Sequence, residues 1–121
     1  MPIPRPAPEP RSFLPLTPHA FQVLLALADE ARHGYAIIQE VDERTDGIIK
    51  LRTGTLYTLL QRLTDETLIQ PSAAPESADV RRRYYRLTDL GRAVLAAETR
   101  RLEALIGEAR RKRVIGRTSK A

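Results

Sequence analysis

The sequence contains no cysteine and no tryptophan, and other aromatic residues are few. Without cysteine, disulfide bonds and thiolate chemistry are excluded, while the redox compartment stays open. No apolar run approaches the ~18 residues that a membrane span needs, and no charged-then-apolar signal segment opens the chain. We therefore expect a cytoplasmic protein with no membrane partner.

The residue patterns of catalytic sites are also missing. There is no nucleophile paired with a base, no glycine-rich phosphate loop and no carboxylate pair in a catalytic arrangement, so we expect no enzyme. The two histidines, His19 and His33, stand alone without metal-ligand spacing. We interpret His33, at a helix junction, as structural, and we expect neither a metal nor a cofactor.

Positive charge is what the chain has in excess. The formal net charge is +5 and the sequence pI is about 10.1, over 121 residues. That length suffices for one domain with a modest core. The charge favours an acidic partner, most simply nucleic acid.

Residues 51–63 predict a helix with two different faces. One face is an apolar stripe at i, i+3, i+4 and i+7, formed by Leu56, Leu59, Leu60 and Leu63. The opposite face is polar and free of carboxylates before Asp65; it carries Thr55, Thr58, Gln61 and Arg62. Thr53 is a candidate N-cap, which would point free backbone N–H groups and the positive dipole end at an anion. We interpret this stretch as a helix that enters a groove of DNA; the alternative is an ordinary surface helix.

The region before this helix predicts a helix-turn-helix arrangement. Alternating prolines indicate a flexible, polyproline-like arm over residues 1–16. Thr17-Pro18 starts a first helix that we expect to end near Ala31, and a second helix runs from Tyr35 to Arg44. The Asp46-Gly47 turn and a very short extended piece at Ile48-Ile49 then lead to the third helix.

The residues after the third helix predict a β-hairpin. We expect a first strand at 68–70, a loop rich in Pro, Ser and Ala over 71–79, and a second strand over 80–87. Alternation places Tyr85 and Leu87 toward the core, and Arg82, Tyr84 and Arg86 toward solvent or phosphate. A hairpin in this place is a wing, so the predicted fold is mainly α with a small β-hairpin.

The last part of the chain predicts one long helix. Thr88 is a candidate N-cap, and the helix could run from Leu90 to about Arg113. Its apolar positions form a heptad-like seam longer than a small head domain can cover, so we expect self-association. The predicted dimer-interface residues are Phe21, Leu24, Leu95, Leu102, Leu105 and Ile106. The predicted units are a proline-rich arm (1–16), a winged helix-turn-helix DNA-binding domain (17–87), a dimerisation helix (88–113) and a basic tail (114–121).

The assembled pattern resembles the PadR family of bacterial transcriptional regulators, in its short form with a single C-terminal helix. The matching blocks are His33-Gly34-Tyr35, Thr45-Asp46-Gly47, Thr53-Gly54-Thr55-Leu56-Tyr57, Arg62-Leu63, Arg82-Arg83-Tyr84-Tyr85-Arg86-Leu87-Thr88 and Gly91-Arg92. The likeness covers residues 16–98. It implies a homodimer that binds a pseudo-palindromic double-stranded DNA operator, usually as a repressor, and that is often released by a small-molecule effector.

The expected DNA contacts follow from this arrangement. The N-terminal end of a recognition helix meets bases and phosphates, and wing cations track the backbone. The predicted contacts are Arg52, Thr53, Thr55, Tyr57, Thr58, Arg62, Arg81, Arg82, Arg83 and Tyr84. Tyr35 and Leu56 are interpreted as core residues. A protein of this kind would be associated with the nucleoid.

The sequence also departs from the family. Relatives often have glycine where Thr67 stands and a glycine in the wing tip, whereas residues 71–79 contain none. Some relatives stack flat ligands between tryptophans, which this chain lacks. Two further interpretations stay open: a winged-helix protein-interaction module that has lost DNA binding, and a non-specific nucleoid-coating protein.

Overall fold

A computed structural model describes residues 8–75 and 81–116. A short 3-10 helix at Pro10–Phe13 precedes four α-helices and three short strands. In chain order these are α1 (Pro18–Ala26), β1 (Arg32–His33), α2 (Gly34–Arg44), α3 (Thr53–Asp65), β2 (Ile69–Ser72), β3 (Tyr84–Leu87) and α4 (Asp89–Arg111). The fold is therefore mainly helical, with the predicted helix-turn-helix, wing and long final helix.

Two of the three predicted helix caps are confirmed. The Thr17 side-chain oxygen accepts a hydrogen bond from the Ala20 N–H at 3.1 Å, and Pro18 occupies the first turn of α1. The Thr88 oxygen likewise accepts from the Gly91 N–H at 2.9 Å. The prediction for α3 was wrong, because Arg52 is its N-cap residue and makes no side-chain capping bond.

The first helix is shorter than predicted, and the segment after it forms a strand that the sequence did not reveal. α1 ends at Ala26, whose carbonyl oxygen accepts a hydrogen bond from Arg32 Nε at 2.7 Å. β1 pairs antiparallel with β3, with Arg32 opposite Tyr85, and the sheet order is β1-β3-β2. A two-residue strand is too short to show alternation. The extended piece predicted at 48–49 is a bend instead, directly after the turn at residues 45–47.

Both strands of the wing have different bounds from those predicted. β2 extends through Pro71 and Ser72, which were expected in the loop, and Ser72 pairs with Tyr84. β3 begins at Tyr84, while residues 76–80, part of the predicted tip and strand, lie outside the described residues. The expected outward position of Tyr84 was wrong. Tyr84 is buried beside Tyr85, because its ring packs edge-on against His33 of β1 at 5.2 Å between centroids.

The core is formed by the apolar faces of α1, α2, α3 and the first part of α4. The four stripe leucines of α3 are all buried, as predicted. Leu56 is fully buried, but Tyr35 is 56% exposed, so its assignment to the core was wrong. α2 begins at Gly34, and a Cβ there would lie 2.9 Å from the Tyr57 hydroxyl, so α2 and α3 approach closely at this point.

The start of α4 is fixed to the segment that follows α3. The Thr88 hydroxyl donates to the Thr67 carbonyl at 2.6 Å, and the Thr88 N–H donates to the Leu68 carbonyl at 3.1 Å. A Cβ on Gly91 would lie 1.9 Å from that same Leu68 oxygen, so only glycine fits. We call these four residues, Thr67, Leu68, Thr88 and Gly91, the α4 anchor.

Residues 10–16, the later part of the flexible arm predicted for residues 1–16, pack on α4 and the core. Pro10–Phe13 is a 3-10 helix, and Phe13, Leu14 and Leu16 are half-buried against the core. The Leu16 N–H donates to Glu98 Oε2 at 3.0 Å. Residues 1–7 of the predicted arm, and 117–121 of the predicted tail, lie outside the described residues.

Glu98 is the one buried charged residue among the described residues, with 1% of its surface exposed. Arg101 donates to both of its carboxylate oxygens, at 2.6 and 2.9 Å. The hydrogen bond from Arg101, together with the Leu16 N–H, holds the pKa of Glu98 below its usual range despite desolvation by burial. This carboxylate therefore ties the N-terminal segment to α4.

Candidate nucleic-acid interface

The outward face of α3 is polar and projects from the head domain. The side of α3 that faces away from the core, with the residue before the helix, is formed by exposed residues. These are Arg52, Thr53, Gly54, Thr55, Tyr57, Thr58, Gln61 and Arg62. The first turn of α3 contains no acidic residue. Carboxylates come only at its C-terminal end, where Asp65 accepts from Gln61 at 2.9 Å and Glu66 lies 3.9 Å from Arg62. The N-terminal two turns therefore present donors without competing acids.

The fold does not explain why residue 54 is a glycine. A Cβ at this position would meet nothing within 4 Å, and Gly54 does not have a positive φ. Glycine in a helix lowers stability by roughly 0.5–1 kcal/mol relative to alanine. The residue is therefore unfavourable for the free protein, and its use fits the close approach of another molecule's backbone to the start of α3.

Tyr57 packs against α2 and is also partly exposed. Its hydroxyl lies over Gly34 of α2, yet 51% of the residue is exposed. It lines a cleft of about 290 Å³ between α3 and the wing, together with Gln61, Thr64, Pro71, Arg83 and Tyr85. We define this as the wing-side cleft. Arg83 and the exposed face of α3 therefore border the same cleft.

The three predicted wing cations differ in their surroundings. Arg81, Arg82 and Arg83 are all exposed. The Arg82 guanidinium carbon lies 5.7 Å from the centroid of the Tyr35 ring, and its Nη1 is 3.4 Å from His33 Nδ1. Arg82 therefore contributes to the fold of the wing base, while Arg83 faces the wing-side cleft.

His33 has the structural role expected of it. Its Nδ1 accepts a hydrogen bond from the Ala36 N–H at 3.1 Å and so caps α2. The ring also packs on Tyr84. Because Tyr84 is buried beside His33 of β1, we do not retain it among the candidate DNA contacts. Among the described residues there is no group of three or more His, Cys, Asp or Glu side chains that could hold a metal.

A second groove flanks α3 on the side away from the wing. It has a volume of about 610 Å³ and lies between the N-terminal turn of α1 and α3. Its lining includes Thr17, His19, Thr55, Thr58, Leu59 and Arg62. We call it the α1-side groove. The sequence analysis assigned Thr55, Thr58 and Arg62 to the interface but did not bring Thr17 and His19 to the same surface, because they are distant in the chain.

The predicted dimer-interface residues fall into two groups. Leu24 is fully buried and Leu95 is 7% exposed, so both belong to the core of a single chain. We therefore leave Leu24 and Leu95 out of the candidate interface, and Phe21 is half-buried against the same core. Leu102 is half-buried, while Leu105 and Ile106 are 46% and 53% exposed.

The Transcriptional regulator PadR-like family matches residues 23–97, more than half of the chain. This chain belongs to the PadR-like family. As a PadR-family member it is a DNA-binding transcriptional regulator and not an enzyme. The matched region runs from the middle of α1 to Ala97 of α4, and so includes α3, the wing and the α4 anchor.

Similar proteins agree with this assignment. An uncharacterised protein of Lysinibacillus sphaericus is 35% identical over 74 residues, which cover 61% of this chain and 68% of that protein. A PadR-family transcription regulator of Clostridium difficile has 26% identity and a TM-score of 0.66, over 76% of this chain and 94% of that chain. RosR of H. salinarum has 30% identity and a TM-score of 0.59, over 84% and 89%.

The structure of Bacillus subtilis PadR shares the fold, with 24% identity and a TM-score of 0.58, over 69% of this chain and 47% of that one. That protein was solved in complex with operator DNA. In the described part of the present PadR-family chain, no helix is both long enough and apolar enough to cross a membrane.

Proposed function

We propose that this PadR-family regulator is a homodimeric repressor that binds a pseudo-palindromic operator through α3 and the wing. In this proposal residues 17–87 bind DNA, residues 88–113 dimerise, and residues 1–16 and 114–121 flank them. The DNA contacts proposed are Arg52, Thr53, Thr55, Tyr57, Thr58, Arg62, Arg81, Arg82 and Arg83.

The observation that carries the DNA-binding part is the acid-free, exposed N-terminal half of α3. Hydroxyl groups there can donate hydrogen bonds to phosphates and so position the helix on the duplex. Arg52 can donate two hydrogen bonds to guanine in the major groove. Gly54 adds to this support, since its missing side chain is of no use to the fold. Bacillus subtilis PadR, which shares the fold, was solved on operator DNA.

The dimer part is supported by the second half of α4, which we define as residues 99–111. Its apolar side chains lie on the same face that the first half buries, yet Leu105 and Ile106 are about half exposed. A second copy of the same helix would cover them. The proposed interface residues are Phe21, Leu102, Leu105 and Ile106.

Release by a small-molecule effector is included in the proposal on the ground of the family resemblance. A drug site that stacks a flat ligand between tryptophans is not included. The chain has no tryptophan, and α4 has no aromatic residue.

The test is a titration of the protein with the duplex upstream of its own reading frame and with random duplex of equal length, at two salt concentrations. We expect a preference of about 10³ or more for the first duplex. Equal and steeply salt-dependent binding of both would instead indicate a nucleoid-coating protein. Absence of binding at low salt would indicate a protein-interaction module.

Arg83→Ala tests whether the wing takes part. Because Arg82 also contacts His33 and Tyr35, Arg83 is the cleaner position. Loss of one phosphate contact should weaken all duplexes about equally and flatten the slope of log K against log salt by about 0.9. Arg100→Ala, at an exposed position of α4, is the matched control. Equal slopes for the two variants would remove Arg83 from the interface.

Gly54→Ala separates DNA binding from folding. The variant should raise the free energy of unfolding by roughly 0.5–1 kcal/mol, because a Cβ there meets only open space. Operator affinity should fall at the same time, since the methyl group would stand between α3 and DNA. A variant that is more stable and binds with unchanged affinity would exclude close backbone contact at this position.

A further inference from the structure

The α1-side groove has the chemistry of a site for a sugar–phosphate backbone. Thr55 and Thr58 offer hydroxyl donors, His19 an imidazole and Arg62 a guanidinium. Leu59, which is buried in the core, lies beneath these polar side chains. Among the described residues that line this groove there is no carboxylate; the nearest one described is Glu66, 3.9 Å from Arg62 at the C-terminal end of α3.

The α1-side groove and the wing-side cleft are lined by different side chains of α3. Thr55, Thr58 and Arg62 line the first, and Tyr57, Gln61 and Thr64 line the second, so that the exposed face of α3 is the ridge between them. An α-helix with its side chains is about 10–12 Å across, and the major groove of B-DNA is about 12 Å wide. A helix inserted there therefore has a sugar–phosphate backbone on each side.

We propose that the α1-side groove holds the sugar–phosphate backbone of the operator strand opposite to the one that the wing tracks, with His19 and Thr17 as contacts from α1. The inference rests on the proposed operator binding by α3. It adds a third element, α1, to the interface formed by α3 and the wing.

The N-terminal turn of α1 is suited to this role because it is held firmly. Thr17 caps the helix, and Ala20 one turn later is fully buried. A hydroxyl both accepts and donates, so Thr17 can accept from the Ala20 N–H and donate to a phosphate oxygen. His19 is exposed between these two fixed residues, and its imidazole is outside the core.

The first test compares His19→Lys with Glu103→Gln, an exposed position of α4. With histidine counted as neutral, each substitution raises the formal charge by one, so the two variants differ only in where the charge lies. His19→Lys should tighten binding to operator and to random duplex by similar factors. It should also steepen the slope of log K against log salt by about 0.9, and Glu103→Gln should not.

Equal salt slopes for these two variants, in a protein whose wild type binds duplex DNA, would overturn the α1-side assignment and leave the proposed function standing. A wild-type protein that binds no duplex would overturn both. Circular dichroism spectra should be the same for wild type and variants, since both positions are exposed.

A second test locates the phosphate. Uncharged methylphosphonates are placed singly along each operator strand, and the loss of affinity is measured for wild type, His19→Ala and Arg83→Ala. For the wild type we expect two tracts, on opposite strands, in which a methylphosphonate lowers the affinity. In His19→Ala the methylphosphonates of one tract should no longer lower the affinity, and in Arg83→Ala those of the other tract should not. Loss of sensitivity in the same tract for both variants, or no change with His19→Ala, would refute the proposal.

Discussion

The two halves of α4 carry apolar side chains on the same face, separated by Glu98, but these side chains have different surroundings. In the first half, Gly91, Val94, Leu95 and Glu98 are buried against the head domain. In the second half, Leu105 and Ile106 on the same face are about half exposed. A helix of 23 residues is about 35 Å long, which exceeds the reach of the head domain. The heptad spacing alone does not distinguish an intramolecular contact from an intermolecular one; the size of the head domain does.

The largest difference between the halves should appear when each of their glycines is changed. Gly91→Ala would place a Cβ 1.9 Å from the Leu68 carbonyl oxygen, so α4 must move, and we expect a loss of about 3 kcal/mol or more in the free energy of unfolding. Gly107→Ala in the second half is the control, because its Cβ would meet only the Arg111 Nη1 at 3.5 Å. It should stabilise the protein by roughly 0.5–1 kcal/mol in urea unfolding. Similar losses for both variants would contradict a special contact at Gly91.

Charges on the uncovered face of α4 should break the proposed dimer without unfolding the head. We expect Leu102→Glu combined with Ile106→Glu to sediment as a monomer, since two charges would have to be buried between helices. Loss of the second half-site should weaken operator binding by about 10²-fold or more. Arg100→Glu changes the net charge by the same amount at an exposed position and should remain dimeric. A double variant that still sediments as a dimer would show that the interface lies elsewhere.

A smaller effect is expected at Glu98, where the buried half of α4 ends. Glu98→Gln removes the charge from the hydrogen bonds with Arg101 and Leu16, and it should cost roughly 1–3 kcal/mol of unfolding free energy at pH 7. Because the pKa of Glu98 is lowered in the folded state, its stabilisation is present above the ordinary glutamate value of about 4.3 and is lost as pH falls through the lowered value. The difference between wild type and variant should therefore shrink in unfolding curves recorded from pH 7 down to pH 3. A constant difference over that range would argue against a charged role.

The smallest effect is a gain at Thr67 in the α4 anchor. This β-branched residue has φ of 61°, in the left-handed region that favours glycine. Thr67→Gly should raise the free energy of unfolding by about 0.5 to 1 kcal/mol and leave self-association unchanged. Thr67→Ala retains a Cβ in the same conformation and should give no gain. If both substitutions stabilise equally, the backbone conformation is not the cause.

Much of this molecule could be predicted from local pattern. The spacing of Leu56, Leu59, Leu60 and Leu63 predicted the buried side of α3. Thr17 and Thr88 predicted the starts of two helices. Both kinds of signal involve residues that lie within one or two helical turns of each other. Membership of the PadR-like family followed from several short blocks in the right order.

The features that were missed all depend on contacts between distant parts of the chain. β1 has two residues and exists only because β3 lies beside it. Tyr84 violates the alternation of the wing because His33, from that strand, covers its ring. Glu98 is buried on the inner face of α4, where the Leu16 N–H, 82 residues away in the chain, donates to its carboxylate. Periodicity cannot report such pairings, since the partners are tens of residues apart or bond through the backbone.

The α4 anchor has a consequence for the spacing of operator half-sites. Leu68 accepts from the Thr88 N–H, and its own N–H donates to the Leu63 carbonyl at 2.9 Å, so the end of α3 is linked through one residue to the start of α4. In the proposed dimer the distance and rotation between the two copies of α3 are therefore set by the protein. Insertion of a single base pair between half-sites turns one of them by roughly 34° about the DNA axis, since a helical turn takes about 10.5 base pairs. If the regulator binds as the proposed dimer, a stiff connection of this kind would make it select operators by the length of their spacer as well as by their bases.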